Sequence, residues 1–331
     1  MKVKGFLFSC LVLNICFSFF LLNARLHKKD LHKKIVALTT MVDQKQEELN
    51  RIQASPTDRQ IALNYAGQLD YFKSQFFTIQ GVPSLITKKS FIPSLERGVN
   101  DLAEEPFKSL YKKNNLNDLP SSDNYIIPPI IHQILIGPHS QEQFDKFRKT
   151  FIAQHPGWLY KLWTDEDIAK LTLMNRDSYE RAPNYAVKAD VLRYELLYLF
   201  GGVCVDIDCI CVQPLNLLHR HYEFYAGLSE PGIIATAVIA SISGHPILKN
   251  CIEKIKNDFH EGRLQFDALG SSYLTGSFKN CAPHCTAPVI AFPIDYFYPQ
   301  IKQKRPNDCE GNGVLESVEL LPETFIVRCA G

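Results

Sequence analysis

The first fifty residues pass from an uncharged apolar run into a periodic helical pattern. Residues 5–24 carry no charged side chain, and a run of this length matches one membrane-spanning helix. We therefore expect a single-pass membrane anchor at 1–24, with a cleaved signal peptide as the alternative. More positive charge follows the run than precedes it, which by the positive-inside rule favours a cytoplasmic body and leaves the side of the membrane open.

The segment 25–56 repeats apolar residues in steps of four and three. The repeat runs through Leu31, Ile35, Leu38, Val42, Leu49 and Ile52, with Lys45 at one position of the seam. It predicts a helical, coiled-coil-like stem, which either joins two chains in a homodimer or stands alone as an amphipathic stalk. Four prolines punctuate the segment 57–124, which we interpret as a linker with accessory helices.

From residue 125 onward, short apolar runs alternate with amphipathic stretches. The pattern predicts strands within Ile126–Ile136 and at Trp158–Trp163, and helices at 141–155 and 186–200. Thr164, followed three residues later by Asp167, predicts a capping box at the start of another helix. Strands that alternate with helices indicate an α/β domain over 125–331.

Composition changes this picture only slightly. The formal net charge of +1 provides no global field for nucleic acid, so we expect no nucleic-acid partner. Ten cysteines are compatible with disulfides in an oxidising compartment and equally with buried thiols, and the sequence does not decide between them.

The strongest chemical signal is the segment Gly201–Asp208, which reads Gly-Gly-Val-Cys-Val-Asp-Ile-Asp. Two glycines predict a tight turn before a buried strand, and residues two apart in an extended chain point to the same side. Asp206 and Asp208 should therefore project together at the carboxyl end of this strand, where open α/β sheets bind ligands. Paired carboxylates suit a hard cation such as Mn²⁺ or Mg²⁺, so both residues are predicted metal ligands.

The helix before this motif carries a second polar pair. Asp190 and Arg193 are three residues apart and share one helix face, while Leu192 and Leu196 lie on a different side. A surface ion pair of this kind contributes little to stability by itself. Its position immediately before the paired aspartates makes it a candidate for ligand binding.

The stretch 187–208 resembles the glycosyltransferase family with an Asp-x-Asp sugar-binding region, to which the yeast initiating mannosyltransferase and the α-1,4-galactosyltransferases belong. Segments 127–133 and 160–167 resemble the opening strands of that family, and 270–275 weakly resembles a segment on its acceptor side. The resemblance implies a GT-A fold, which is a Rossmann-like nucleotide-sugar-binding fold. It also implies a metal-dependent, retaining transfer from a UDP- or GDP-sugar to a hydroxyl group of a glycan, lipid or protein acceptor.

The resemblance further assigns roles to individual residues. Asp208 would ligate Mn²⁺ or Mg²⁺ directly, and Asp206 would contact the ribose or donor sugar and share in the metal. Asp190 and Arg193 would hold hydroxyl groups of the donor sugar, so Asp190, Arg193 and Asp206 form the predicted catalytic set. The predicted cofactor-binding set comprises His132, Gln133, Asp190, Arg193, Asp206 and Asp208. A structural role is the alternative for His132.

Departures from the family leave alternatives open. Family members often end in a tail with histidine and tryptophan near the metal, whereas 325–331 contains neither. Either another group completes the metal shell, or the chain is a catalytically degenerate sugar-binding or scaffolding relative with the same fold. A haloacid-dehalogenase-like phosphatase also places Asp-x-Asp after a strand, but Ile210 stands where that chemistry needs Thr or Val. As a transferase the protein would be a single-pass membrane protein, Golgi-type in a eukaryote or in the inner membrane of a bacterium.

Overall fold

The computed structural model of the chain describes residues 75–79, 99–116, 123–299 and 321–329. The predicted anchor at 1–24 and the predicted stem at 25–56 lie outside the described residues. Within residues 57–124, the structure describes a 3-10 helix at Val99–Leu102 and an α-helix at Phe107–Lys113. No helix in this described part of the chain is long and apolar enough to cross a membrane.

The described residues form nine strands and eight α-helices. The strands are β1 (Phe77–Thr78), β2 (Ile130–Ile134), β3 (Leu159–Trp163), β4 (Gly202–Val205), β5 (Cys209–Cys211), β6 (Phe224–Glu230), β7 (Ile233–Ser241), β8 (Val289–Phe292) and β9 (Ile326–Arg328). The helices are α1 (Phe107–Lys113), α2 (Gln141–Gln154), α3 (Asp165–Lys170), α4 (Arg176–Arg181), α5 (Tyr185–Phe200), α6 (Asn216–His221), α7 (Pro246–His260) and α8 (Ser271–Cys281).

Seven of the described strands form one mixed sheet in the order β1-β3-β2-β4-β7-β6-β8. β3, β2 and β4 lie side by side and run parallel, with Ile131 opposite Tyr160 on one side and Val203 on the other. β7 runs antiparallel to both β4 and β6, and β6 runs parallel to β8. The predicted α/β fold is therefore confirmed in its parallel half, and the other half of the sheet is mixed. β5 and β9 form a separate antiparallel pair.

The helices begin where the polar pattern predicts. The helices predicted at 141–155 and 186–200 correspond to α2 and α5. The first ends one residue earlier than predicted, and the second begins one residue earlier. Asn184 caps α5, because its side-chain oxygen accepts from the amide of Val187 at 2.9 Å. Thr164 and Asp167 form the predicted capping box, in which the Thr164 amide donates to Asp167 at 3.0 Å.

The helix α5 is held firmly beside the sheet. Leu192, Leu196 and Leu197 of this helix have no exposed surface. Burial of each such side chain contributes about 2 kcal/mol to folding, so the apolar face fixes the helix rotation. That rotation determines where the polar residues of the same helix point.

Gly201 and Gly202 make the turn from α5 into β4, and their backbone angles require glycine. Gly201 ends the helix with φ of +65°, and Gly202 has φ of +98°. Both values lie in the region that L side chains rarely adopt. A Cβ atom on Gly202 would also stand 2.6 Å from the carbonyl oxygen of Ile130, so the chain can pass between helix and sheet only without a side chain.

Candidate active site

The candidate site lies at the carboxyl end of β4, the strand between β2 and β7. Asp206 is the first residue after β4, and its amide donates to the carbonyl of Ala237 at 2.9 Å, so hydrogen bonding to β7 continues past the strand. Ile207 and Asp208 then form a turn that leads into β5. Because β2 and β4 are parallel, their carboxyl ends open on the same edge of the sheet, where α/β proteins bind ligands.

Arg193 joins helix α5 to the end of β4. Its Nη2 atom lies 2.9 Å from Oδ1 of Asp206, and its Nη1 atom lies 3.4 Å from Oδ1 of Asp190. The Arg193 side chain is 7% exposed, whereas those of Asp190 and Asp206 are 17% and 20% exposed. The guanidinium presents its donors in a fixed fork and therefore holds the two carboxylates at a defined angle. The structure thus brings together the three residues that the sequence predicts to be catalytic.

Asp190 lies in a tightly built corner of the site. Its Oδ1 atom also accepts from the Thr236 hydroxyl at 3.1 Å, and its Oδ2 atom faces Gly270. The Tyr194 hydroxyl lies within hydrogen-bonding distance of the Gly270 carbonyl, at 2.9 Å, and so holds that loop against α5. Burial raises the pKa of Asp190 above that of an ordinary aspartate, and the neighbouring Arg193 opposes the rise.

Asp206 and Asp208 converge on Arg328, a residue that sequence reasoning did not select. Nη2 of Arg328 lies 3.2 Å from Oδ2 of Asp206, and its Nε lies 3.4 Å from Oδ2 of Asp208. The alternation of side chains along a strand, on which the sequence prediction relied, does not cause this convergence, because β4 ends at Val205, before either aspartate. The turn that follows directs both carboxylates toward one cation. Burial raises the pKa of Asp208, and Arg328 opposes that rise.

Arg328 reaches the site through the pairing of β9 with β5. In this antiparallel pair Arg328 lies opposite Cys209, and the amide of Cys329 donates to the carbonyl of Asp208 at 3.0 Å. Backbone hydrogen bonds therefore fix the strand beside the turn. The one available signal was the family resemblance, which places a tail near the metal. The sequence does not show which residue of this tail reaches the site, or in which register its strand pairs.

Gln133 lies at the edge of the candidate site. Its side-chain amide donates to the backbone carbonyl of Asp206 at 3.3 Å, and its side-chain oxygen accepts from the Tyr160 hydroxyl at 2.8 Å. Together with Ile207 it also lines a small cavity beside the turn. Gln133 therefore holds the backbone of Asp206 and forms part of the wall of this cavity.

His132 lies in the core, on the opposite face of β2 from its neighbour Gln133. The ring has no exposed surface. Its Nε2 atom donates to the carbonyl of Gly201 at 2.8 Å, and its Nδ1 atom accepts from the indole N–H of Trp163 at 3.1 Å. Burial lowers the pKa of His132 to about 4. Both ring nitrogens serve internal contacts, which agrees with the structural alternative for this residue.

The donor set of Asp206 and Asp208 fits a divalent cation that binds together with a substrate. Their Oδ2 atoms already meet at one positive group, so they converge on a single point. In nucleotide sites, Mg²⁺ and similar cations take one or two carboxylates, and phosphate oxygens and water supply the remaining ligands. Among the residues that the structure describes, no group of three or more His, Cys, Asp or Glu could hold a metal by itself.

Residues 141–225 match a protein family described as "Glycosyltransferase sugar-binding region containing DXD motif". The matched range includes Asp190, Arg193, Asp206 and Asp208. Residues 141–225 therefore resemble a glycosyltransferase DXD sugar-binding region. The family resemblance expected from the sequence is thereby confirmed; the ion pairs among Asp190, Arg193 and Asp206 lie within the matched range, and Arg328 lies outside it.

Curated yeast proteins share sequence with part of the chain. Inositol phosphoceramide mannosyltransferase 2 of Schizosaccharomyces pombe is 30% identical over 215 residues, which are 59% of this chain and 61% of that protein. Inositol phosphoceramide mannosyltransferase 3 of the same yeast is 30% identical over 143 residues, 42% of this chain and 40% of that protein. Mannosyl phosphorylinositol ceramide synthase CSH1 of Saccharomyces cerevisiae is 31% identical over 137 residues, 40% of this chain and 36% of that protein. The chain thus spans between 36 and 61% of the length of these three relatives.

Solved glycosyltransferase structures resemble the chain more distantly. The PaToxG glycosyltransferase aligns with a TM-score of 0.40 and 18% identity, over 53% of this chain and 78% of that chain. The galactosyltransferase LgtC, solved with donor and acceptor sugar analogues, aligns with a TM-score of 0.35 and 12% identity, over 61% and 87% of the respective chains. Likenesses of this size say nothing about activity.

Proposed function

We propose that this chain is a glycosyltransferase with the GT-A arrangement, which moves a sugar from a UDP- or GDP-sugar to an acceptor hydroxyl in the presence of Mn²⁺ or Mg²⁺. The observation that carries the proposal is the chain of ion pairs from Asp190 through Arg193 to Asp206 at the carboxyl edge of the sheet. The network lies inside the DXD sugar-binding region. It also leaves its carboxylates partly exposed at the edge where α/β sheets bind ligands.

In this proposal, Asp190 and Arg193 bind hydroxyl groups of the donor sugar. A carboxylate accepts hydrogen bonds and a guanidinium donates them, so together they select one orientation of a sugar hydroxyl pattern. Asp206 and Asp208 hold the divalent cation, which when bound neutralises charge on the leaving diphosphate. Gln133 positions Asp206 through its backbone carbonyl, and His132, which is buried in the core, has no proposed contact with the donor.

The proposed transfer retains the configuration of the donor sugar. The acceptor hydroxyl attacks the anomeric carbon from the face that the diphosphate leaves. The new glycosidic bond forms as the bond to the diphosphate breaks, and the hydroxyl proton passes to the departing phosphate. We assign no protein nucleophile to this step.

We propose that the nucleoside end of the donor lies beside the turn, where a cavity of about 10 Å³, the space of one water molecule, would have to widen to admit it. Its walls include Gln133, Leu135, Arg148, Tyr160 and Ile207. Ile207 stands between the two aspartates in sequence, so a nucleoside in this cavity would place its diphosphate directly at Asp206 and Asp208. Leu135 provides apolar contact with the base rather than aromatic stacking.

The names of the yeast relatives narrow the proposed substrates. They are named as mannosyltransferases of inositol phosphoceramide and as a mannosyl phosphorylinositol ceramide synthase. These names favour mannose as the transferred sugar and a lipid headgroup as the acceptor. The anchor at 1–24 and the helical stem at 25–56, which the sequence predicts as either a homodimer contact or a lone stalk, would hold the site next to such a lipid in a Golgi-type or bacterial inner membrane.

A second candidate function is sugar binding without transfer, in a degenerate or scaffolding relative. The observation that favours it is the pairing of Arg328 with both Asp206 and Asp208, because a fixed cation there would leave no room for a catalytic one. Nucleotide binding alone fits both candidates. Release of nucleotide from a nucleotide sugar separates them.

The test incubates the full chain, purified in detergent, with GDP-mannose and a panel of UDP- and GDP-sugars, with Mn²⁺ and with an inositol phospholipid as acceptor. We expect nucleotide release from at least one donor, abolished in Asp208→Asn while the melting temperature is preserved. Asp177→Asn, on the exposed surface of α4, is the matched control and should retain activity. Stabilisation by a nucleotide sugar without any release would favour the second candidate. Full activity of Asp208→Asn would exclude the proposed metal role.

A further inference from the structure

The side chain of Arg328 is the exposed member of a five-residue network of alternating charge. The network runs Asp190, Arg193, Asp206, Arg328, Asp208. Arg193 is 7% exposed and lies beneath the carboxylates, whereas Arg328 is 45% exposed and lies over them. Three carboxylates and two guanidinium groups leave the network with a formal charge of −1. Arg328 is therefore the cation that a ligand at this edge would meet first.

Arg328 uses the same oxygen atoms that a metal would use. Oδ1 of Asp206 is already held by Arg193 at 2.9 Å, so Oδ2 is the oxygen that faces the mouth, and Arg328 lies 3.2 Å from it. Oδ2 of Asp208 lies 3.4 Å from the same guanidinium. A divalent cation at these oxygens would lie within a few ångströms of a like charge, and such charges repel strongly in a partly buried site. The cation and the guanidinium cannot both occupy the pair of carboxylates.

The anchoring of Arg328 allows the side chain to change partners without unfolding. The backbone of β9 is fixed by its pairing with β5 and by the bond from the Cys329 amide to Asp208. The guanidinium is 45% exposed, so rotation about its own side-chain bonds would be enough to take it off the two carboxylates. A guanidinium fork matches a phosphate as well as it matches a carboxylate, and both give charge-assisted hydrogen bonds.

We propose that Arg328 is a residue of the donor site that competes with the divalent cation for Asp206 and Asp208, and that it binds the donor diphosphate once the cation has taken those carboxylates. This inference rests on the proposed function, because it takes the two aspartates to be the cation site. Without donor, Arg328 holds the aspartates and weakens metal binding. When donor and metal are both present, the guanidinium group released from the aspartates binds the diphosphate.

The first arm of the test measures Mn²⁺ binding without any nucleotide, by electron paramagnetic resonance of the free ion. The full chain is compared with Arg328→Gln, Arg328→Lys and the control Arg263→Gln, which removes an arginine that is 64% exposed and paired with Asp258 and Glu261. We expect Arg328→Gln to bind Mn²⁺ about tenfold more tightly, the scale of one charge-assisted hydrogen bond. Arg328→Lys should lie between the two, because one ammonium group cannot engage both carboxylates as a fork does.

The second arm measures UDP and GDP binding at saturating Mn²⁺, by calorimetry. We expect Arg328→Gln to lose about tenfold in affinity for the diphosphate, with partial rescue in Arg328→Lys and no change in Arg263→Gln. An unchanged Mn²⁺ affinity or an unchanged diphosphate affinity in Arg328→Gln would overturn the proposal. If the unaltered chain bound neither UDP nor GDP, the sugar-transfer function would fail. A tighter Mn²⁺ affinity in Arg328→Gln would still establish the competition, so the two failures are distinguishable.

Discussion

Gly270 approaches Asp190 so closely that a Cβ atom on the glycine would stand 2.8 Å from Oδ2 of the carboxylate. This distance is shorter than a van der Waals contact between carbon and oxygen, so Gly270→Ala should displace Asp190 from Arg193. We expect transfer to fall by about tenfold or more, because a shift of ~1 Å at a reacting centre costs up to ~100-fold. Steady-state rates with a nucleotide sugar, compared with thermal stability, provide the measurement.

The matched control for this change lies six residues along the chain. A Cβ atom on Gly276, inside α8, would meet only Nζ of Lys254, at 4.0 Å. Gly276→Ala should therefore keep full activity and gain about 0.5–1 kcal/mol in stability, as expected for alanine in a helix interior. Equal activities of the two variants would show that Asp190 tolerates displacement.

Removal of Arg193 should destabilise the fold as well as the site. Arg193→Met leaves the carboxylates of Asp190 and Asp206 without their shared cation in a mostly buried position. Loss of one partner from such a network costs about 3 kcal/mol. Urea denaturation provides the measurement. Lys249→Met, which breaks an exposed pair with Glu253, should cost less than about 0.5 kcal/mol. If Arg193→Met lost as little stability as Lys249→Met, solvent would already screen the ion pairs of Arg193.

His132 should make stability depend on pH. Its folded-state pKa of about 4 lies below the ordinary value of 6.5, so between these values the folded state binds fewer protons than the unfolded chain. The stability that neutral His132 provides is complete above the higher value and is lost as pH falls toward the lower one. Protonation would also convert Nδ1 from an acceptor for Trp163 into a second donor.

The measurement compares the free energy of unfolding of the unaltered chain and His132→Gln from about pH 7 to about pH 4.5. We expect the variant to be less stable at the upper end and the difference to narrow as the pH falls. The other buried histidines with lowered pKa values, His155, His219 and His245, are common to both proteins and cancel in the difference. A difference that does not vary with pH would contradict a neutral, hydrogen-bonded His132.

The Gly202 turn offers a test of the backbone that carries Asp206. Gly202→Ala adds a side chain at φ of +98° and 2.6 Å from the Ile130 carbonyl oxygen, so we expect a loss of about 3 kcal/mol or more. Gly262→Ala is the control, because Gly262 also has positive φ, at +67°, but nothing lies within 4 Å of its added Cβ. That variant should lose only about 1 kcal/mol, the cost of the left-handed conformation. If urea denaturation gave similar losses of stability for the two variants, the contact with the Ile130 carbonyl oxygen would not be the cause of the larger loss expected for Gly202→Ala.

The parts of the site that are local in sequence could be predicted. Asp190 and Arg193 are one helical turn apart, and helical periodicity alone places them on one face. The ion pair between Arg193 and Asp206 is seen only in the structure, where α5 returns directly into β4 through two glycines. The parallel strands β2, β3 and β4 could also be predicted, since each is a compact apolar run with a helix after it or before it.

Features that depend on distant pairing could not be predicted. No local pattern places the antiparallel β7 between β4 and β6, because strand order depends on contacts across the whole domain. Arg328 is 120 positions from Asp208, and its register opposite Cys209 leaves no trace in the spacing of either segment. For His132 the family resemblance implies a ligand contact and leaves a structural role as the alternative; its hydrogen bonds to Trp163 and Gly201 agree with the structural role.

The separation between β5 and β9 also sets an order in time. A ribosome makes Asp206 and Asp208 long before it makes Arg328, and during that interval the outward oxygens of the two aspartates face whatever ions surround the nascent chain. When the last strand docks, the guanidinium arrives at carboxylates that a loosely held ion has already visited. Maturation of the protein thus includes an exchange of a borrowed counter-ion for a tethered one.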